Sequence, residues 1–290
     1  MNIVYLNGEF LPRDEAKISV MDRAFLFADG VYEVIPVYQG KLFRFNEHLK
    51  RLAYSLAEMR LQSPHTDSQW EDLCNQLIQR NGGGNISFYL QITRGCAPVR
   101  DHAFPKTPVE PTIFMMVSPM AAPHSTDLNR EQGIKAVCLA DIRWLRCDIK
   151  SVSLLPNALL RQQALDQGVD EAILIRDGNV TEGAASNIFI VKDGKLITPP
   201  RSQFILGGIT RDLIIELAQA HQLSCVEKNI SQAELMAADE AWMTSSTKEI
   251  APITHVDGKA IGSGKVGPMW RTVTGWYNEY KAILQSGSPS

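Results

Sequence analysis

The sequence lacks long apolar runs, long basic runs and a signal-peptide pattern. Because a helix that crosses a bilayer needs about 20 mainly apolar residues, no membrane-spanning segment is expected. The formal net charge of −3 and the scattered Lys and Arg residues argue against nucleic acid or an anionic membrane as a partner. The N-terminus has neither a basic region nor a continuous apolar region, so we expect a cytoplasmic protein.

Cysteine is scarce, and its spacing is irregular. The five cysteines are scattered, and none forms a CxxC motif. Zinc sites and disulfide frameworks depend on regular cysteine spacings, so neither is expected, and no metal is expected either.

Two nucleotide-binding patterns are also missing. The chain contains no GxxxxGK[ST] loop and no GxGxxG directly after a predicted strand. Because these glycine patterns let the backbone approach the phosphates of a nucleotide, a P-loop enzyme and a dehydrogenase are disfavoured.

What remains is the composition of an ordinary globular protein. The chain has 290 residues, of which 44% are apolar and 21% are charged. That length is enough to bury a sizeable core and to form two domains.

The first part of the chain is predicted to pair its strands through hairpins. Residues 31–37 and 41–45 flank Gln39-Gly40, a loop that suits a hairpin, and residues 3–6, 18–21, 86–93 and 112–117 also have strand patterns. Helices are predicted from Asn46, where apolar residues recur at helical spacing, and at residues 70–79. The Pro-rich, charged loop at residues 94–111 is long enough to be functional or disordered.

Strands alternate with helices in the second part. Strands are predicted at residues 134–142, 171–176, 187–191, 225–228 and 240–243, and helices from Asn157 and Gly207 and at residues 232–237 and 266–284. The sequence therefore predicts an α+β fold in two domains. A small N-terminal α+β domain (residues 1–117) is followed by a linker with two prolines (residues 118–131) and a larger C-terminal α/β domain (residues 132–290), which is expected to carry Lys150.

Lys150 lies in the connection between a predicted strand and the helix from Asn157, at the end of an apolar stretch. Partial burial strips water from a lysine amine and favours the neutral form, which a Schiff-base nucleophile requires. A lysine whose stem packs while its amine reaches water fits the same position. The position alone leaves both interpretations open.

Two stretches could bind a phosphate. Arg51 lies on the helix from Asn46, and a guanidinium donates two parallel hydrogen bonds to a phosphate. Gly207-Gly208-Ile209-Thr210-Arg211 is a helix start, where backbone amides and the positive end of the helix dipole favour an anion. A solvated arginine and an ordinary helix start are the alternatives.

Glu182 lies beside a glycine in a predicted turn between strands, within VTEGAASN. If this carboxylate is buried against a ring nitrogen, it keeps that nitrogen protonated and strengthens the ring as an electron sink. A surface turn glutamate is the alternative. The hydroxyl-rich segment TSSTKE, which starts at Thr244, is either an ordinary polar loop or a second phosphate-binding loop.

Five stretches, FADGVYEV, NEHLKRL, RWLRCDIKSVSLLPN, VTEGAASN and GGITRD, resemble in this order the fold-type IV pyridoxal-phosphate aminotransferases. The resemblance runs from about Tyr5 to Trp270. Any single stretch is weak evidence, whereas five in register are specific. Within the family, the chain most resembles the enzymes that act on D-amino acids.

The resemblance implies a role for each candidate residue. Lys150 matches the lysine that holds pyridoxal 5'-phosphate as an internal aldimine and moves the substrate α-proton. Glu182 matches the acid at the pyridine nitrogen, Arg51 the phosphate arginine, and Tyr32 a tyrosine that reaches a substrate carboxylate. The further phosphate contacts implied are Ile209, Thr210 and Ser246.

Arg100 and His102, in the loop at residues 94–111, match an Arg-x-His pair that binds the substrate α-carboxylate, across a dimer interface. Arg and His two residues apart in an extended loop point to the same side, where they supply a cation and a hydrogen-bond donor. An exposed charged loop is the alternative. Branched-chain L-aminotransferases and aminodeoxychorismate lyases usually lack this pair, so its presence favours the D-amino acid branch.

The resemblance therefore implies a homodimeric transferase that uses pyridoxal 5'-phosphate to move the amino group of a D-amino acid to a 2-oxo acid. D-Alanine and 2-oxoglutarate are the expected type of substrate, in two ping-pong half-reactions. A branched-chain L-aminotransferase or an aminodeoxychorismate lyase on the same fold is the alternative. A third interpretation is a homologue that binds the ligand without catalysis.

Overall fold

The computed structural model describes residues 2–129 and 131–286. Contacts divide these residues into two compact units. The N-terminal unit comprises the chain up to Ala121 together with Ile149–Leu154, and the C-terminal unit comprises Ala122–Asp148 and the chain from Leu155 onward. Lys150 therefore belongs to the N-terminal unit. Of the predicted linker and C-terminal domain, Arg130 and residues 287–290 lie outside the described residues, and the predicted domain boundaries stay a prediction.

The N-terminal unit is built on a six-stranded antiparallel sheet. The strand order is β2-β1-β6-β5-β3-β4. The strands are β1 (Ile3–Leu6), β2 (Glu9–Pro12), β3 (Gly30–Tyr38), β4 (Lys41–Leu42), β5 (Ile86–Thr93) and β6 (Ile113–Pro119). The helices are α1 (Arg23–Phe27), α2 (Phe45–Glu58) and α3 (Asp67–Arg80).

One face of this sheet packs on α2 and α3 to form the core of the unit. Val31, Ile35 and Val37 alternate along β3 and belong to the same buried cluster as Leu52 of α2 and Leu77 of α3. The period of two in the strand and the three-to-four spacing in the helices place these side chains on the facing surfaces. Apolar residues at helical spacing predicted α2 for this reason, and the predicted helix at residues 70–79 lies within α3.

The C-terminal unit is built on a mixed nine-stranded sheet, with the order β12-β11-β10-β13-β14-β7-β8-β9 and β15 paired to β14. The strands are β7 (Ile134–Ala140), β8 (Glu171–Arg176), β9 (Asn179–Gly183), β10 (Asn187–Lys192), β11 (Lys195–Thr198), β12 (Cys225–Glu227), β13 (Glu240–Ser245), β14 (Glu249–Val256) and β15 (Lys259–Ala260). The helices are α4 (Leu155–Asp166), α5 (Ile209–Ala220), α6 (Gln232–Met236) and α7 (Pro268–Ser286). The predicted α+β class is confirmed.

Several local predictions were wrong. Residues 18–21 form no strand, and their apolar side chains face outward: Ile18 is 54% and Val20 is 70% exposed. The strands β2, β11 and β14 were not predicted. Glu182 lies on β9 and not in a turn, because its buried neighbours and cross-strand hydrogen bonds override the turn preference of the adjacent glycine.

No helix in the described part of the chain is long and apolar enough to cross a membrane.

We predict that Leu77→Ala lowers the free energy of unfolding by about 2–5 kcal/mol, because Leu77 is fully buried and the substitution leaves a cavity. Gln76→Ala, at an exposed position of the same helix, is the matched control and should change it by less than about 0.5 kcal/mol. Urea denaturation followed by circular dichroism measures both. Equal effects of the two substitutions would show that α3 does not pack as described.

Candidate active site

The backbone of Lys150 is fixed beside the first residues of β3. The N–H of Tyr32 donates to the carbonyl of Lys150 at 3.0 Å. The N–H of Lys150 in turn donates to the hydroxyl of Ser55, on α2, at 3.2 Å. Ser151 forms a further bridge to Val31. The segment Ile149–Leu154 thus extends the pairing of β3, although its residues are far from that strand in the sequence.

The amine of Lys150 lies over an aromatic ring. Its Nζ atom is 4.1 Å from the centroid of the Tyr32 ring, and the lysine side chain is half-buried. Tyr32 is itself stacked on Tyr89, with the ring centroids 5.6 Å apart. Aromatic packing therefore limits where the amine can lie, which favours the interpretation of Lys150 as a positioned amine. Lys150 and Tyr32, both predicted site residues, are brought together.

Arg51 is bound to a carboxylate buried inside the unit. Its Nε and Nη2 atoms donate to the two oxygens of Glu33 at 2.8 and 2.7 Å. Nδ1 of His48 is 2.7 Å from Glu33 Oε2. Because an ionised carboxylate only accepts, Nδ1 of His48 carries the hydrogen. Arg51 and His48 lie one turn apart on α2, and Glu33 lies on the core side of β3 between Val31 and Ile35.

This arrangement shifts the pKa values of Glu33 and His48. Burial alone raises the pKa of the Glu33 carboxyl, but the charge and hydrogen bonds of Arg51 and the hydrogen bond of His48 outweigh burial and hold that pKa well below its usual range. Burial lowers the pKa of His48, against the opposing influence of Glu33. At neutral pH the cluster therefore consists of an ionised carboxylate, a charged guanidinium and a neutral imidazole.

Arg100 and His102 pack against one ring. The side chains of both residues are exposed, in a stretch without helix or strand. The guanidinium carbon of Arg100 is 4.8 Å from the centroid of Phe27, and the His102 ring is 5.1 Å from the same centroid. The two side chains therefore lie on the same side of the loop, as their spacing predicted.

Glu182, in the C-terminal unit, is a buried carboxylate with three hydrogen-bond donors. Nη1 of Arg143 donates to Oε1, while Nδ2 of Asn187 and the N–H of Leu206 donate to Oε2 at 3.1 and 3.0 Å. Burial raises the pKa of Glu182 above its usual range, against the charge and hydrogen bond of Arg143 and the hydrogen bond of Leu206. A carboxylate has about four acceptor positions, so roughly one remains for a further donor.

Asn187 joins Glu182 to the start of α5. Besides its bond to Glu182, its Nδ2 donates to the carbonyl of Leu206 at 2.9 Å. A Cβ atom on Gly208 would lie only 1.9 Å from Oδ1 of Asn187, so this close approach requires glycine. Glu182 and the predicted phosphate contacts Ile209 and Thr210 are thus held at one end of the C-terminal sheet.

The start of α5 has no side-chain cap. Its N-cap residue, Gly208, has no side chain to accept from the amides of the first turn. Ile209 and Thr210 are buried, so it is their backbone amides that could receive a phosphate. Ser246 lies in the turn between β13 and β14, two residues after Thr244, which pairs with Asn187. Ser246 therefore comes directly after β13, and β13 is paired with β10, the strand that begins at Asn187.

Each unit, taken by itself, carries groups that fit pyridoxal phosphate, the cofactor that the sequence predicts. In the N-terminal unit, the half-buried amine of Lys150 suits a carbonyl carbon. In the C-terminal unit, the spare acceptor of Glu182 suits a protonated ring nitrogen, and the start of α5 suits a phosphate. Among the described residues, no group of three or more His, Cys, Asp or Glu side chains could hold a metal ion.

Four supporting residues were not predicted from the sequence: Glu33, Ser55, Arg143 and Asn187. Only Glu33 carried a usable signal, since a charged residue on the apolar face of a predicted strand needs a buried partner. Arg143 and Asn187 lie inside the recognised motifs but have no spacing that links them to Glu182. Nothing in the sequence distinguishes Ser55 from any other hydroxyl-bearing residue of an amphipathic helix.

Comparisons with known proteins identify the family of this chain. The family described as Amino-transferase class IV matches residues 30–256. A D-alanine aminotransferase of Staphylococcus haemolyticus is 40% identical over 280 residues, which cover 97% of this chain and 98% of that protein. A D-alanine aminotransferase of Bacillus licheniformis is 39% identical over 270 residues, 93% of this chain and 94% of that protein.

Solved structures share the fold over nearly the whole chain. The branched-chain amino acid aminotransferase of Escherichia coli has a TM-score of 0.87 at 28% identity, covering 96% of this chain and 94% of that one. The branched-chain amino acid aminotransferase of Thermobaculum terrenum, solved in its PLP-form, has a TM-score of 0.81 at 26% identity, covering 96% and 93%. Agreement of sequence and fold at this coverage establishes that the chain belongs to the class IV aminotransferases, the fold-type IV family that its motifs predicted.

Proposed function

We propose that this protein is a pyridoxal-phosphate-dependent aminotransferase that moves the amino group of a D-amino acid, such as D-alanine, to a 2-oxo acid, such as 2-oxoglutarate. The observation that carries the proposal is the placement of Lys150, whose backbone is bonded on both sides and whose amine lies over Tyr32. The sequence identity of 40% and 39% to two D-alanine aminotransferases supports the same reaction.

When bound, pyridoxal phosphate supplies an electrophilic carbonyl carbon and a ring that takes up the electron pair released at the substrate Cα. The residues of this chain bind, orient and move protons. With the cofactor bound, Lys150 Nζ would accept the proton from the substrate Cα and pass it, in the same half-reaction, to the former carbonyl carbon of the cofactor. In the second half-reaction it would move a proton in the opposite direction. Glu182 holds a positive charge at the ring nitrogen, since a buried carboxylate is stabilised by a protonated partner.

Other residues hold the phosphate and the substrate. Motif order assigns phosphate binding to Arg51, which Glu33 holds in place within the N-terminal unit. It assigns the same role, within the C-terminal unit, to the amides of Ile209 and Thr210 and the hydroxyl of Ser246. Arg100, His102 and Tyr32 bind the substrate carboxylate. A carboxylate held on one side of the Cα determines which hydrogen faces Lys150, and hence which enantiomer reacts.

The solved structures of this fold named above are branched-chain amino acid aminotransferases, which makes L-selective transamination the second candidate. Their identity to this chain is 28% and 26%, lower than the 40% of the Staphylococcus haemolyticus D-alanine aminotransferase. The pair of Arg100 and His102 on Phe27 also favours the D-amino acid.

We predict that the cofactor-loaded protein loses the visible absorbance of bound cofactor when D-alanine is added, and keeps it when L-leucine is added. Lys150→Ala is the control and should show no such loss on the same time scale, with a rate lower by at least about a thousandfold, because it removes the amine that is proposed to move the Cα proton. Stopped-flow absorbance measures both. Loss with L-leucine alone would replace the D-selective function by the second candidate.

A homodimer in the cytoplasm is also part of the proposal. Ile142, Trp144 and Leu145 are exposed apolar side chains on one stretch of the C-terminal unit, and such clusters are typical of protein interfaces. We predict a dimer by sedimentation velocity at micromolar concentration, whereas a monomer would contradict it.

The five cysteines are all free, which suits a reducing compartment, and cell fractionation tests the location.

We predict that Glu33→Gln destabilises the protein by about 3–5 kcal/mol at pH 7, because it leaves the charge of Arg51 buried without this carboxylate. The folded-state pKa of Glu33 lies below its unfolded-state value of about 4.3, so its stabilisation is complete above that value and is lost as the pH falls through the folded-state pKa. The difference between wild type and variant should therefore shrink between pH 5 and pH 3.

Urea denaturation at several pH values measures this difference. Glu71→Gln, at an exposed position of α3, is the matched control and should behave like wild type throughout. A Glu33→Gln effect that stayed constant down to pH 3 would contradict an ionised Glu33.

A further inference from the structure

The loop that carries Arg100 and His102 has little regular structure to hold it. It connects β5 to β6, and from residue 98 to residue 104 every side chain is exposed. A loop exposed in this way contributes few apolar contacts of its own, so its conformation depends on bonds to its backbone.

Arg23 supplies those bonds. Its Nη1 atom donates to the carbonyls of Asp101 at 2.7 Å and Ala103 at 3.3 Å, and its Nη2 atom donates to the carbonyl of His102 at 3.2 Å. One guanidinium therefore binds three consecutive carbonyls, including that of a predicted carboxylate-binding residue. Arg23 itself is only 3% exposed, so it holds the loop from inside the N-terminal unit.

Arg23 is in turn held by a buried carboxylate. Oδ2 of Asp29 accepts from Nε of Arg23 and from Nε of Arg94, each at 2.7 Å. Arg94 also donates to the carbonyl of Met59. Its guanidinium carbon is 3.6 Å from the ring centroid of Phe104, which belongs to the loop that carries Arg100 and His102. The loop is thus attached at two points to one Arg–Asp–Arg cluster, and the planar fork of each arginine fixes the geometry.

The helix that carries Arg23 also carries the ring beneath the two substrate residues. Arg23 and Phe27 are four residues apart on α1, and the guanidinium of Arg23 is 4.8 Å from the Phe27 centroid. Arg100 and His102 contact the same ring. Asp22 caps α1 through the N–H of Ala24 and accepts from Thr93 at 3.0 Å, which ties the helix to β5.

We propose that Arg23 is a positioning residue for substrate recognition: it aligns the backbone of residues 101–103 so that Arg100 and His102 meet the α-carboxylate together. The proposal rests on the proposed function, in which these two residues bind that carboxylate. Arg23 touches neither cofactor nor substrate, and acts only through the loop. It therefore controls the affinity for amino acids and 2-oxo acids rather than the proton transfer at Lys150.

Arg23→Lys tests this because it keeps the charge beside Asp29 and removes the fork that spans three carbonyls. We expect the KM for D-alanine and for 2-oxoglutarate to rise about tenfold, with kcat within about twofold of wild type and the absorbance of bound cofactor unchanged. Arg80→Lys is the matched control, since Arg80 is an exposed arginine of the same unit that also lies over a ring, that of Phe10. A kcat loss without a KM change would overturn the proposal.

Two further measurements separate positioning from a general loss of structure. Trypsin should cleave after Arg100 at least about fivefold faster in Arg23→Lys than in wild type or Arg80→Lys, because the released loop fits a protease more readily. In an Arg100→Ala background, Arg23→Lys should raise the KM by less than about twofold, since both changes disable the same contact. Unchanged cleavage, or fully multiplicative KM effects, would each overturn the proposal.

If Arg23→Lys does not fold, Phe27→Leu is the second variant. It keeps an apolar side chain on α1 and removes the ring that Arg100 and His102 share, so we expect the same rise in KM at unchanged cofactor absorbance. An unchanged KM would overturn the proposal. Failure of the positioning proposal can be distinguished from failure of the proposed function. Wild type that does not react with D-alanine would disprove only the proposed function, and the trypsin comparison would still report on the loop.

Discussion

Buried carboxylates paired with arginine organise both units of this protein. An ionised carboxylate inside a protein is stable only when charged or polar hydrogen-bond donors replace its lost water. Glu33 is met by Arg51 and His48, Asp29 by Arg23 and Arg94, and Glu182 by Arg143 with Asn187 and the amide of Leu206. Each cluster ties a predicted site residue, or the loop that carries one, to the nearest strand or helix.

Different groups hold the different candidate site residues in place. Lys150 is set by backbone pairing with β3 and by Ser55, while Arg51 is set by the carboxylate on the opposite, core side of the same strand. Along β3, successive residues alternate between faces, so Tyr32 contacts the lysine while Glu33 contacts the arginine. One strand therefore holds two of the candidate site residues, Lys150 through its backbone and Arg51 through Glu33.

Much of the fold could be predicted from the sequence, whereas the candidate site residues were named from it and their roles stay a prediction. The periodicity of α2 and the alternation in β5 were sufficient, because each buries one clear face. The prediction failed at residues 18–21, where an apolar pattern faces outward, and at β9, where buried polar contacts hold a glycine-containing strand. The roles of Lys150, Arg51 and Glu182 came from motif order and not from any property of those residues in isolation.

The family, the α+β class and the residue types that the chemistry requires follow from the sequence, because they depend on local pattern and on motifs in register. The groups that support these residues become apparent only in the folded protein. Arg23 is about 80 residues from the carbonyls that it binds, and Ser55 is 95 residues from Lys150. No local propensity encodes such contacts, since they exist only once the strands and helices have packed and buried charges have found their partners.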